Sequence, residues 1–238
     1  MDGSPTRVWL EPGYDYGRFG AWMLDLPGCF VWADDRERAL AAVPATVERF
    51  GSWLASHGEP VDAPAGPVIV VDEVATTWLE KEERNAIFEP DLAPADRASA
   101  DRTERWRGYA RTDLLALLDR LGVPSTGLPG VVDRNAARDP DRPALAVARH
   151  VGFAEIWLTG RLQRGERYTG PGANDDLREF LAGTRAWSAE LLGRIVAEDP
   201  ARHVDDGRGE MWTPTKVMRR LIMHSLDHLG ELEQTIPD

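Results

Sequence analysis

Residues 216–232 read KVMRRLIMHSLDHLGEL. Val217, Leu221, His224, His228 and Leu232 recur at intervals of three and four, the period of one face of an α-helix. Thr213-Pro214 lies just upstream and is a good helix start, with proline at the first helical position. The predicted helix runs over about 214–235. His224 and His228 stand one turn apart on its apolar stripe, with Cβ atoms about 5–6 Å from each other. At that separation two imidazoles can reach one metal ion at Zn–N distances of about 2.0–2.1 Å. The same stripe also fits hydrogen-bonded core histidines. Two buried neutral imidazoles need partners for their ring nitrogens, and a shared metal is one way to supply them.

Upstream, the same period recurs three times. Trp106, Ala110, Leu114, Leu117 and Leu121 predict a helix over about 101–121. A second is predicted over about 141–163. Leu177, Leu181, Thr184, Trp187, Leu191 and Ile195 predict a third over about 175–198, capped by Asn174 with two aspartates in its first turn. Residues 122–138 and the stretch RGERYTGPGAN are read as loops; TGPGAN lacks the strand-before, helix-after context of a phosphate loop. Four helices of this length joined by loops predict an antiparallel bundle. Near the start of the second helix, in VARHVGFAEIWLTGRL, His150 shares a face with Phe153 (or Ala154) and Trp157, and is expected to point inward. One histidine here and a pair on the last helix make a three-nitrogen site. Its open fourth position is the arrangement of a catalytic zinc site. His57 and His203 are expected at the surface.

The segment before residue 95 reads differently. Val8–Leu10 is a strand candidate. Ala21–Leu26, the turn Pro27-Gly28 and Cys29–Trp32 suggest a hairpin. Asp34 or Asp35 caps a predicted helix from about Arg36 to Ser56, with Leu40, Val43, Val47, Phe50 and Leu54 on its buried face. Pro67–Val71 is β-branched and strand-like, and Val74–Leu79 is a further strand candidate. Residues 89–100, EPDLAPADRASA, lack periodicity and are read as the connection. The chain is thus expected to be α+β with two domains, 1–95 and 96–238.

Composition sets the outer bounds. The 238 residues carry 28 basic and 40 acidic side chains, a net charge of -12, and are 42% hydrophobic. That is apolar enough for a core. The acidic balance argues against nucleic acid. No apolar run approaches the roughly 20 residues of a membrane span. The N-terminus MDGSPTRVWLEPG has no signal-peptide pattern, so a cytoplasmic protein that binds neither nucleic acid nor membrane is expected. The single cysteine, Cys29, excludes a disulfide framework and is read as a small buried or turn residue. The nine tryptophans are read as core anchors. Arg219-Arg220, Arg161 and Arg164 suggest either an anion contact or, more ordinarily, solvated charges. Glu155 and Asp227 are the carboxylates nearest the histidines in sequence. Both turn away from the histidine faces and are read as surface groups, so no general base is assigned.

RHVGFAEIWLTGRL and KVMRRLIMHSLDHLGEL resemble the two metal-binding segments of the DinB/YfiT-like superfamily. These are four-helix bundles with one histidine on the second helix and HxxxH on the fourth. The resemblance covers about residues 100–238. It implies that His150, His224 and His228 hold one divalent metal, zinc or nickel. It also implies thiol-dependent S-transferase chemistry on a small electrophilic substrate, with a low-molecular-weight thiol such as mycothiol. The related mycothiol-dependent isomerases have glutamate at the first position of the fourth-helix pair, so His224 sets this chain in a three-histidine branch. Bundles of this type often dimerise, which makes a homodimer an expected assembly. AWMLDLPGCFVWADDRERALAAVPATVERFGSWL, within residues 5–75, is similar to the HicB-like fold, a small sheet and helix. A non-catalytic metal-binding or partner-binding protein, and a metal-dependent hydrolase, are the competing readings.

Overall fold

The computed structural model describes residues 3–76, 85–126, 143–163, 165–207 and 209–235. It is mixed α and β, and its internal contacts cluster into two units. The first comprises Met1–Ala93 and Asp205–Arg219, the second Pro94–Val204 and Arg220–Asp238.

The first unit holds a four-stranded sheet. Strands β1 (Thr6–Gly13), β2 (Arg18–Trp22), β3 (Phe30–Ala33) and β4 (Val68–Glu73) lie in the order β3-β2-β1-β4. The β1–β2 and β2–β3 pairs are antiparallel, while β1 and β4 run parallel. The hairpin predicted from 21–26 and 29–32 is shifted: its first strand ends at Trp22. The chain reverses after β1 through the tight four-residue turn α1 (Tyr14–Gly17), whose Asp15 and Tyr16 take positive, non-helical φ, so β2 begins early. Met23–Cys29 then form the turn, closed by Leu26 N–H on Met23 O and Cys29 N–H on Leu26 O. Gly28, at φ 91°, takes the left-handed conformation that glycine adopts without steric cost. Val74–Thr76 are not strand, and the remainder of that candidate, 77–79, lies outside the described residues.

Helix α2 spans Arg36–Ser56, the predicted bounds. The Asp35 carboxylate accepts from Arg38 N–H at 2.8 Å, the N-cap bond that Asp favours. Val43, Val47, Phe50 and Leu54 are buried, and α2 packs on the sheet. Residues 85–93 and the first turns of α6 (Pro214–Glu233) also belong to this unit. Here the expectation of solvated arginine fails for Arg219. Its guanidinium forms a bidentate pair with buried Asp91 (2.7 and 2.8 Å) and lies 4.2 Å from the Trp22 ring centroid. Lys216 is fully buried. Its ammonium donates to Asn85 O, Met211 O and Glu210 Oε1 at 2.8, 2.9 and 3.2 Å.

The second unit contains α3 (Arg97–Arg120), α4 (Ala144–Gly160), α5 (Leu177–Glu198) and the Arg220–Glu233 portion of α6. Asp96 caps α3 by accepting from Ser99 N–H at 2.6 Å, one turn earlier than periodicity alone indicates. Asp176, not Asn174, caps α5, accepting from Arg178 and Glu179 N–H. Asp175 is instead held by Gly172 N–H, which completes a turn before the helix. Residues 127–142, which include most of the predicted 122–138 loop and the first residues of the predicted second helix, lie outside the described residues. So does Arg164.

One apolar core joins the four segments. Leu114, Leu117 and Leu118 of α3 meet Val147, Ala148 and Val151 of α4, Leu177, Phe180 and Leu181 of α5, and Leu229 and Leu232 of α6. Each fully buried aliphatic or Phe side chain contributes about 1.5–3 kcal/mol. α4 and α5 approach closely at Gly152, where an added Cβ would stand 2.4 Å from the Phe180 ring. Among the described residues, no helix is long and apolar enough to cross a membrane.

Candidate metal centre

The helical period puts His224 and His228 on one stripe of α6, and the packing of α4 brings His150 to them. His150 Nε2 lies 3.1 Å from His224 Nε2, which lies 3.2 Å from His228 Nε2. Four ligands at about 2.0–2.1 Å in tetrahedral array stand about 3.3–3.4 Å apart, so this spacing suits one small divalent ion. His228 is buried, whereas His150 and His224 are half-buried, so the cluster is reachable from outside.

The chemistry of the donor set agrees. His228 Nδ1 lies 2.5 Å from Glu231 Oε2. A carboxylate at Nδ1 fixes the proton there and leaves a lone pair on Nε2, which stands 3.2 Å from His224 Nε2, with all three ligand atoms within 4.8 Å of one another. Among the described residues this is the one group of three or more His, Cys, Asp or Glu side chains spaced to hold a metal. His57 is half-buried beside Trp53 and His203 is exposed; neither joins the cluster.

Reading along the chain gives Glu231 no role. The signal was present: it lies three residues after His228, on the same stripe, in HLGEL. Asp227, adjacent in sequence, is exposed as expected. Glu155 corrects its surface reading. It is 2% exposed, with Oε1 accepting from Arg107 and Arg111 at 2.9 and 2.8 Å and Oε2 accepting from Thr184 at 2.8 Å. Burial pushes its carboxyl pKa up, but the two guanidiniums and the Thr184 hydroxyl outweigh that and hold it below the ordinary value. Both its oxygens are engaged in packing the unit, not in serving the histidines.

The α4 face needs a further correction. Phe153 and Trp157 follow His150 along its stripe, yet they are 43% and 40% exposed. The stripe therefore runs along the rim of the core, and His150 meets α6 from there. Arg161 stacks on Trp157 at 4.2 Å. Arg220 is buried at 3% exposure, against the solvated reading. Cys29 belongs to the first unit and is buried; burial pushes its thiol pKa up and makes it a poor nucleophile.

No curated protein and no solved structure matches the chain. A family model, the DinB superfamily, matches residues 109–232, more than half of the sequence. The matched span begins within α3, ends in the last turn of α6 and encloses all three clustered histidines, and the chain belongs to the DinB superfamily.

Proposed function

We propose that this chain is a divalent-metal-dependent enzyme in which His150, His224 and His228 hold zinc or nickel and a small thiol attacks an electrophilic substrate. The observation that carries the reading is the convergence of three imidazole Nε2 atoms at 3.1 and 3.2 Å, with the tautomer of one set by Glu231. A divalent ion with an open coordination position lowers the pKa of a thiol or water that reaches it, so a nucleophile is available at neutral pH. The chain's own contribution is orientation. The α6 helix fixes the His224–His228 separation, α4 delivers His150, and Glu231 keeps the His228 ring from turning. In the transfer, sulfur forms a bond to the electrophilic carbon, the leaving group departs with the bonding pair, and the thiol proton passes to water. Mycothiol or a thiol of similar size fits this role.

We propose the following domain organisation and partners for the same chain. Residues 96–238 form the four-helix bundle, and residues 1–95 a HicB-like domain. The partners are a small substrate and a second copy of the chain, without nucleic acid or membrane.

The test is metal content by elemental mass spectrometry on untagged protein, beside a His224→Ala/His228→Ala variant. The expected result is about one zinc or nickel per chain, lost in the variant while its circular dichroism is kept. A folded wild-type protein that takes up no metal on reconstitution overturns the reading.

A further inference from the structure

Within the second unit, helices α3 and α5 border a groove of about 460 Å³. Glu104, Gly108 and Leu115 of α3 and Leu181, Ala182 and Ala186 of α5 line it. Gly108 and the two alanines are small, so little fills the space between the helices. Ala182 and Ala186 are exposed, so the groove opens to solvent. Its volume lies within the roughly 300–1,000 Å³ of small-molecule sites. The histidines stand on α4 and α6, neither of which lines it.

The groove carries an unbalanced charge. Arg111, Arg178 and Arg185 also line it, and Glu104 is the acidic side chain among the lining residues. Arg111 is paired with Glu155, and Arg178 with Asp119 at the surface. Glu104 is held by Arg107, whose Nη1 lies 2.5 Å from Oε1. Its Oε2 stands 3.9 Å from Arg185 Nη2, a loose contact. In this linked set four guanidiniums meet three carboxylates, and Arg185 is the one left over.

Arg185 is also placed to use that charge. Its Nη2 donates to the Glu104 backbone O at 2.9 Å, while Nε is buried with no hydrogen-bond partner. Its guanidinium lies against Gly108, where an added Cβ would stand 2.9 Å from Nη2 and 3.9 Å from Nη1. The guanidinium thus sits on the α3 wall of the groove. The side chain is 34% exposed, so an ion entering from solvent can reach it. Arg111 registers the excess. Burial is the main cause of its lowered pKa, Glu155 opposes the shift, and the charges of Arg107 and Arg185 add to it.

We infer that the α3–α5 groove binds a small organic monocarboxylate, its carboxyl on the Arg185 guanidinium and its apolar body along Leu115, Leu181 and the alanines. A single anion balances the one unmatched guanidinium, and a planar carboxylate suits its fork of N–H donors. The apolar lining favours a hydrocarbon body over a bare inorganic ion. This site is separate from the metal centre and does not depend on it.

The test is a ligand-observed NMR titration of the full chain with hexanoate and with hexanamide, which has the same skeleton without the charge. Wild-type protein is expected to bind hexanoate about 10-fold more tightly, the low end for a charge-assisted hydrogen bond because Arg185 is partly exposed. In Arg185→Gln that preference should vanish. Ala186→Leu narrows the groove from an exposed position and should abolish binding of both compounds; it keeps the test decisive if Arg185→Gln does not fold. The His224→Ala/His228→Ala variant should bind hexanoate as the wild type does. No hexanoate binding, or equal binding of the two compounds, by the wild type overturns the inference. So does a preference that survives in Arg185→Gln, or binding that survives in Ala186→Leu. Hexanoate binding lost in the histidine variant overturns it as well, because the carboxylate would then sit on the metal.

Discussion

Glu155→Gln is the sharpest test of how the second unit is held together. The substitution preserves volume and removes one charge. In the native protein Oε1 accepts from Arg107 and Arg111 at 2.9 and 2.8 Å, and Oε2 from Thr184 at 2.8 Å, all with the carboxylate 2% exposed. Glutamine leaves two buried guanidiniums facing a neutral amide, one end of which donates where an acceptor is needed. Breaking a buried pair in this way costs about 3–5 kcal/mol. At a urea slope of about 2 kcal/mol per molar, the midpoint falls by about 1.5–2.5 M. The assay is urea unfolding at pH 7 followed by far-ultraviolet circular dichroism, which reads the helices. The gap should also depend on pH. The folded-state pKa of Glu155 lies below its ordinary value, so its contribution is fully present above the unfolded carboxyl pKa and is lost as pH falls through the folded one. Wild type and variant should therefore converge in acid. A midpoint within about 0.3 M of wild type at pH 7 would refute the claim that this network carries the unit.

Glu231→Gln should lower metal affinity about 10–100-fold, measured by chelator competition, with helicity unchanged; equal affinity would show that the His228–Glu231 bond is incidental. Cys29 should react with a disulfide reagent only after denaturant is added, because its thiol is buried and its pKa raised. Rapid modification of native protein would contradict that burial. Gly152→Ala should destabilise by about 1–3 kcal/mol in thermal unfolding, since its methyl would press on the buried Phe180 ring between α4 and α5. A variant as stable as wild type would mean that the two helices separate at little cost.

Elements set by local chemistry were legible in the sequence. The α2 helix has its cap, its stripe and its end at Ser56 within one continuous segment: its bounds and the buried Val43, Val47, Phe50 and Leu54 are legible, while the choice of Asp35 over Asp34 as cap and the half-buried position of Leu40 come from the structure. The His224–His228 pair was read because one helix fixes their spacing. Interactions between distant segments were not. Glu155 finds Arg107 across 48 residues, and Arg219 finds Asp91 across 128. Periodicity marks such positions as polar and so as exposed, because it does not know the partner. The cap of α5 failed for a different reason: Asn174, Asp175 and Asp176 are all good caps, and the turn at Gly172 decides among them. Glu231 is a neighbour of His228 on the helix and not along the chain, so proximity in sequence does not single it out.

Lys216 has a practical consequence. It is one of two lysines in the sequence, and its ammonium is sealed inside the first unit by three hydrogen bonds. An amine-directed reagent can acylate it only when that interior comes apart. The rate at which mass spectrometry finds Lys216 modified is therefore a clock for transient opening of the first unit, built into the native chain without any introduced label.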